Sequence, residues 1–253
     1  MILTIFEGND IRDAFEYYNY RKLVERSGAE NSSIPCLPGS KLCHLYRGLQ
    51  ESSLGTRSYV FNFALNSIRQ AKNNLEQSLG PSKDTDATQK FKNFQFTLKS
   101  PTGVIPFNPG NVNADEPAYA DKVRSGEISF DIYSEALRNF SDLSKRHKFK
   151  GVVLYLPSAY TAYQSYVNFS DPQINELMNQ FSQEQRKFFK ENVKSLGYLF
   201  FDATDHLQEL ASAYREPDKL LYFPSNLHLT SLGHKVVADY LNQELRPFLK
   251  RKS

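Results

Sequence analysis

The stretch Ile5-Phe6-Glu7-Gly8-Asn9-Asp10-Ile11 (IFEGNDI, residues 5–11) joins two different patterns. Before it, Met1-Ile2-Leu3-Thr4-Ile5-Phe6 is a short apolar run, β-branched in part, as a buried strand would be. After it, Ile11 to Arg26 has helical spacing. Gly8 allows a sharp turn between the two, and Asn9 or Asp10 can cap the helix. Two later stretches have the same strand character: GVVLYLP, residues 151–157, and GYLFFDAT, whose strand ends at Asp202. Strands at 2–6, 151–156 and 198–202, separated by helices, imply an α/β fold, a three-layer sandwich with a parallel sheet covered on both faces. Chemistry in such sheets sits beyond the carboxyl ends of the strands. Those ends are Gly8-Asn9-Asp10, Pro157-Ser158 and Asp202.

Other segments read more simply. Asn31 to Leu54 is rich in Ser, Pro and Gly and reads as loop, and Tyr59 to Leu79 reads as a helix stopped by Gly80-Pro81. A hairpin or excursion is expected at about 82–120, inside one domain spanning 1–253. Helices are expected at Ile128–Lys148, Gln183–Leu196 and Asp205–Tyr214, with a short helix or turn at Tyr160–Val167. Thr230 can cap a last helix whose Leu232, Val236, Val237, Tyr240, Leu241 and Leu245 face inward.

Composition narrows the partners. The 253 residues carry 31 basic and 28 acidic side chains, a net charge of +3, so there is no electrostatic case for a nucleic acid or an anionic lipid surface. No apolar run approaches the roughly 20 residues that span a bilayer, and no signal peptide is evident. Cys36 and Cys43 flank a Pro38-Gly39 turn and fit either a disulfide or two free thiols on a loop. No His, Cys, Asp or Glu group has metal-ligand spacing, and no Gly-rich phosphate loop occurs, so neither metal nor cofactor is expected.

The last segment, LYFPSNLHLTSLGHKVVADYL, carries Asn226-Leu227-His228 just before an amphipathic helix. Together with FEGNDI at a strand end, it resembles the SGNH (GDSL-type) hydrolase superfamily, which has a flavodoxin-like sandwich. There a Gly-Asn-Asp block closes the third strand and an Asp…His block precedes the last helix. GVVLYLPSAYTAY and SLGYLFFDATDHLQELA resemble the middle of a branch similar to carbohydrate O-acetyltransferases. The resemblance runs from Ile2 to about Leu249. It implies a serine that attacks an ester carbonyl with His228 as general base. It also implies that Asn9 donates its amide to the tetrahedral oxyanion, with Gly8 making the turn. The implied substrate is a small-molecule or carbohydrate ester.

Two departures stand beside these matches. No Gly-Asp-Ser occurs in the chain, and the family's second block, a loop glycine, is missing as well. The expectation is that an upstream segment has been lost, leaving the later two-thirds of the domain without its nucleophile and therefore inactive. Strand 2–6 would then be an exposed apolar edge, open to self-association, and an anchor or export segment would belong to the missing part. The second departure is Asn226 where the branch has Asp. An amide supplies no charge to the imidazole, and the same change in a Ser-His-Asp triad costs about 10⁴-fold in rate. The alternative is a non-catalytic descendant that binds a glycan or a protein.

Plainer roles are available for each residue. Asn9 can be only a helix cap, and His228 a half-buried side chain bonded to a loop carbonyl. Ser158 would line the cleft without attacking. Asp202 would cap the helix after it, or orient His228 in place of the lost carboxylate. His234 lies on another face of the last helix, and His44, His147 and His206 have no suitable sequence neighbours.

Overall fold

The computed structural model describes residues 1–26, 91, 94–110 and 115–249. The expected loop at 31–54, the helix at 59–79, both cysteines and His44 lie outside the described residues. The chain divides into two compact units, Met1–Glu16 with Ala87–Ser253, and Tyr17–Asp86. Of the second, only Tyr17–Arg26, the end of the first helix, is described.

The first unit is mixed α/β. Strands β1 (Ile2–Phe6), β4 (Val152–Leu156) and β6 (Leu199–Asp202) form a parallel sheet in the order β1-β4-β6. Ile2 pairs with Val152 and Phe6 with Leu156, while Tyr155 pairs with Asp202. All three strand ends therefore point the same way, and the residues after them share one rim. Every residue of β4 is buried, as expected for a strand covered on both faces. Among the described residues β1 pairs on one side only, and Ile2 is exposed.

The helices are α1 (Asp10–Arg26), α2 (Asp115–Arg124), α3 (Ser134–Arg146), α4 (Ala159–Ala162), α5 (Pro172–Leu196), α6 (Thr204–Ala211) and α7 (Ser231–Leu249). Thr230 caps α7 as expected, its hydroxyl oxygen accepting the Gly233 N–H at 3.1 Å. Val236 and Val237 are buried beneath it, with Leu232, Tyr240, Leu241 and Leu245 packed around them. None of the described helices is long and apolar enough to cross a membrane.

Several boundaries differ from the sequence expectation. The segment expected as one helix from Ile128 begins as a 3₁₀ turn, Phe130–Tyr133, because the Ser129 hydroxyl takes the Asp131 N–H and tightens the first turn. Helix α5 starts eleven residues earlier than expected. Asp171 accepts the Gln173 N–H at 2.8 Å and Pro172 occupies the first turn, a local start signal. Its C-terminus is at Gly197, with φ of 76°, as expected. The last residues of the expected 205–214 helix lie beyond α6.

The expected hairpin is present as β2 (Phe96–Ser100) and β3 (Gly103–Phe107), antiparallel. A third strand, β5 (Val167–Phe169), pairs with β2 and was not expected. It is three residues long, and its partner is remote in sequence. An aromatic cluster backs this sheet: the Phe96 ring lies 5.1 Å from Phe107, 5.3 Å from Phe169 and 6.1 Å from Tyr160. Such pairs add about 0.5–1.5 kcal/mol each beyond their buried area.

At Gly233 helix α7 packs closely on the backbone of Leu221. A Cβ there would lie 2.2 Å from the Leu221 carbonyl oxygen. Alanine would gain about 1 kcal/mol of helix propensity but force backbone to move, at about 1–3 kcal/mol or more. Gly233→Ala is expected to lower stability in urea unfolding by about 2 kcal/mol; a rise would show that α7 shifts freely.

Candidate functional site

The turn after β1 is built around a buried acid. Ile5 faces inward, and strand alternation puts Glu7 on the same face, where it is fully buried. Its backbone continues the ladder, the Glu7 N–H donating to Leu156 O at 3.0 Å. Its Oε1 accepts from Ser158 Oγ at 3.0 Å and from Thr161 Oγ1; its Oε2 accepts from Ser182 Oγ at 3.0 Å. The Tyr155 hydroxyl lies 3.1 Å from Oε2 and 2.8 Å from Gln185 Oε1, and donates its single proton to one of them at a time. One carboxyl group thus gathers β1, β4, α4 and α5. Burial raises its pKa, and the hydroxyl donors pull in the other direction.

A second acid comes from α2. Glu116 is 4% exposed and packs its Oε1 against Gly8, 2.7 Å from where a Cβ would sit. A side chain there would press on the ends of the Glu116 and Phe6 side chains. Burial, helped by the charges of Asp115 and Glu7, raises the Glu116 carboxyl to about 8. Asn9 is half-buried, and its carbonyl accepts the N–H groups of Arg12 and Asp13, so it holds the N-cap position of α1. The Asp10 carboxylate turns back to the Phe6 N–H at 2.7 Å, and burial pushes it up to about 6.

His228 arrives from a hairpin. Tyr222 bridges Leu229, the Phe223 N–H donates to the His228 carbonyl at 2.8 Å, and the Leu227 N–H donates to the Phe223 carbonyl at 2.9 Å. That leaves a four-residue loop, Pro224 to Leu227, whose last position needs left-handed backbone. Leu227 supplies it with φ of 62° while burying its side chain almost completely. The strain costs roughly 1 kcal/mol and the burial returns roughly 2–3 kcal/mol, so the core contact decides. The loop is tied to the rim by Tyr222, whose hydroxyl donates to the Pro157 carbonyl at 2.8 Å. It is tied to β3 by the Asn108 N–H, which donates to the Pro224 carbonyl at 2.7 Å.

The His228 side chain is exposed, and its imidazole stacks on Phe6 with centroids 6.4 Å apart and planes 14° from parallel. The structure therefore brings His228 to the end of β1, three residues before Asn9 and two before Gly8. Asn226 is exposed, and its side-chain oxygen accepts the backbone N–H of His228 at 3.1 Å. Asp202 caps α6 through the Thr204 N–H at 2.9 Å and pairs with Arg186 at 2.6 Å, so its carboxylate serves the helix and the arginine. Ser158 is buried, donating to Glu7 and capping α4. The His206 ring stacks on Tyr240, His234 is exposed, and His147 caps the end of α3. Among the described residues no three His, Cys, Asp or Glu side chains are grouped to hold a metal ion.

Sequence reasoning missed Glu7 and Glu116. Glu7 carried a usable signal, since it continues the inward register of Ile5. Glu116 carried none, because its neighbours belong to distant segments. Comparison with protein-family models, with curated proteins and with solved structures finds no match to this chain.

Glu7→Ala would strand buried hydroxyls and is expected to cost about 3–5 kcal/mol in urea unfolding. Glu7→Gln keeps two polar atoms in place and is expected to cost less than half of that. Equal losses would show that shape, not hydrogen bonding, is what Glu7 contributes.

Proposed function

We propose that this chain carries the later part of an SGNH-type ester hydrolase or O-acyltransferase site, in which His228 is the general base and Asn9 an oxyanion donor. The stacking of His228 on Phe6 carries the proposal, because it brings an imidazole from the last hairpin to the residue that ends β1, which the Gly8-Asn9 turn follows. The parallel sheet with its rim residues at 7–10, 157–158 and 202–203 is in keeping with a three-layer fold of that type. In such a site a serine oxygen adds to the ester carbonyl while the imidazole takes the serine proton. The oxyanion is held by amide donors, and the alcohol leaves with the proton returned by the imidazolium. Water or a sugar hydroxyl then takes the acyl group by the same steps in reverse.

Ser158 does not fit the attacking role, since its hydroxyl is buried against Glu7. On this proposal the Gly-Asp-Ser nucleophile of the family has no counterpart in the chain. The 253 residues alone would bind an acylated ligand at the rim without turning it over.

A non-catalytic glycan-binding descendant is the second reading. Phe223 is 47% exposed and lies opposite His228 across the hairpin, so its ring, the imidazole and Phe6 offer aromatic faces suited to a sugar ring.

Two measurements test the proposal. Purified protein is expected to cleave p-nitrophenyl acetate at the solvent background rate, unchanged by His228→Ala; turnover that vanishes in that variant would overturn the claim of inactivity. Titration with an O-acetylated oligosaccharide is expected to shift the NMR amide signals of Gly8, Asn9, Leu227 and His228. Asn9→Ala and His228→Ala are each expected to weaken binding about tenfold, or about 1.4 kcal/mol. Signals moving elsewhere would end both readings of the rim. If Phe223→Ala abolishes binding while Asn9→Ala leaves it intact, the second reading is favoured.

A further inference from the structure

We propose that Glu116 and Glu7 form a proton-operated latch on the Gly8 turn, closed while Glu116 holds a proton and released when it loses it. The latch does not depend on the ester chemistry above. It rests on an asymmetry between two buried acids. Glu7 is wrapped by hydroxyls from Tyr155, Ser158, Thr161 and Ser182. Glu116 is almost as deeply buried, yet its Oε2 has no hydrogen-bond partner among the described residues, and neither does the nearby Tyr160 hydroxyl.

Burial, with the charges of Asp115 and Glu7, disfavours ionisation of Glu116, and of the two acids the one with hydroxyl donors takes the charge. The charge therefore resides on Glu7 and the proton on Glu116. Glu116 Oε1 lies 2.7 Å from where a Gly8 Cβ would sit, and in that buried position a neutral carboxyl costs less than a charged one.

The charged and hydroxyl groups that act on Glu116 are consistent with this. From the end of β1, Glu7 raises the Glu116 pKa, and from its own helix Asp115 does the same. Arg12 of α1 lowers it, but that guanidinium is already paired with Asp115 at 2.6 Å and with Asp13 at 3.3 Å. Tyr160 of α4 also lowers it, without a hydrogen bond of normal geometry. Asp10, on the α1 side of the turn, is engaged by the Phe6 N–H.

Once Glu116 is ionised, its charge has only the Tyr160 hydroxyl to turn to as a donor and is opposed by the charge of Glu7. The relaxed arrangement swings the Glu116 side chain out toward water and uncovers Gly8. The sign of the pH effect follows. The folded protein holds this proton up to about pH 8, whereas an unfolded chain releases it near 4.5. Folded stability therefore falls as pH rises through that window and levels off above it.

The test is a ¹³C NMR titration of the whole protein between pH 5 and 9.5. The side-chain carboxyl carbon of Glu116 is expected to titrate near pH 8, and the backbone carbonyl carbons of Gly8 and Asn9 to step with the same midpoint. Glu116→Gln is expected to abolish the Gly8 and Asn9 step, while the exposed control Glu209→Gln leaves it unchanged. A Glu116 carboxyl titrating near 4.5 overturns the proposal, and so does a Gly8 step that persists in Glu116→Gln. The titration of the unsubstituted protein decides the question even if the variant does not fold.

Discussion

A carboxyl group with no access to water sits where four elements of this protein meet. Glu7 closes β1, yet its oxygens are satisfied by side chains from β4, α4 and α5. An unpaired carboxylate in such a place would cost several kcal/mol, and each orphaned hydroxyl a further 1–3 kcal/mol. The elements are therefore held at distances where the hydroxyls reach. Several features inherit their positions from that requirement. Ser158 must begin α4 directly after β4, and Ser182 and Gln185 must face inward on a long amphipathic helix.

The opposite rim element, the His228 hairpin, obeys a different rule. It is anchored by apolar burial and by single hydrogen bonds to backbone, not by charge. Leu227 holds a conformation that favours glycine because its side chain is locked in the core. The Tyr222 hydroxyl fastens the hairpin to the end of β4. The backbone that carries the imidazole is held in place, since rotation of the loop would draw Leu227 into water.

How much of this could be read from the chain follows from range. The three parallel strands were legible because each is a continuous apolar run, and the observed spans match the expected ones within a residue or so. The cap of α7 was legible because Thr230 and the apolar positions after it are local. Strand β5 was not, since three residues give too little periodicity and pairing with β2 is a long-range event. The beginning of α5 had a readable signal in Asp171-Pro172, with Ile174, Leu177, Met178 and Phe181 buried at helical spacing. At the rim, His228 and Asn9 stood out by residue type. Glu116 did not, because an acid on an ordinary helix becomes unusual only when Gly8 and Glu7 are folded against it.

The phenol groups that fasten this unit together also have a spectroscopic meaning. Burial holds the hydroxyls of Tyr133, Tyr155, Tyr160 and Tyr222 well above the usual tyrosine range, and the chain has no tryptophan. In alkali these interior phenols resist ionisation. The interior set can form tyrosinate only when the sheet comes apart, so a late, steep rise in ultraviolet absorbance would report the opening of the core with no added dye or label.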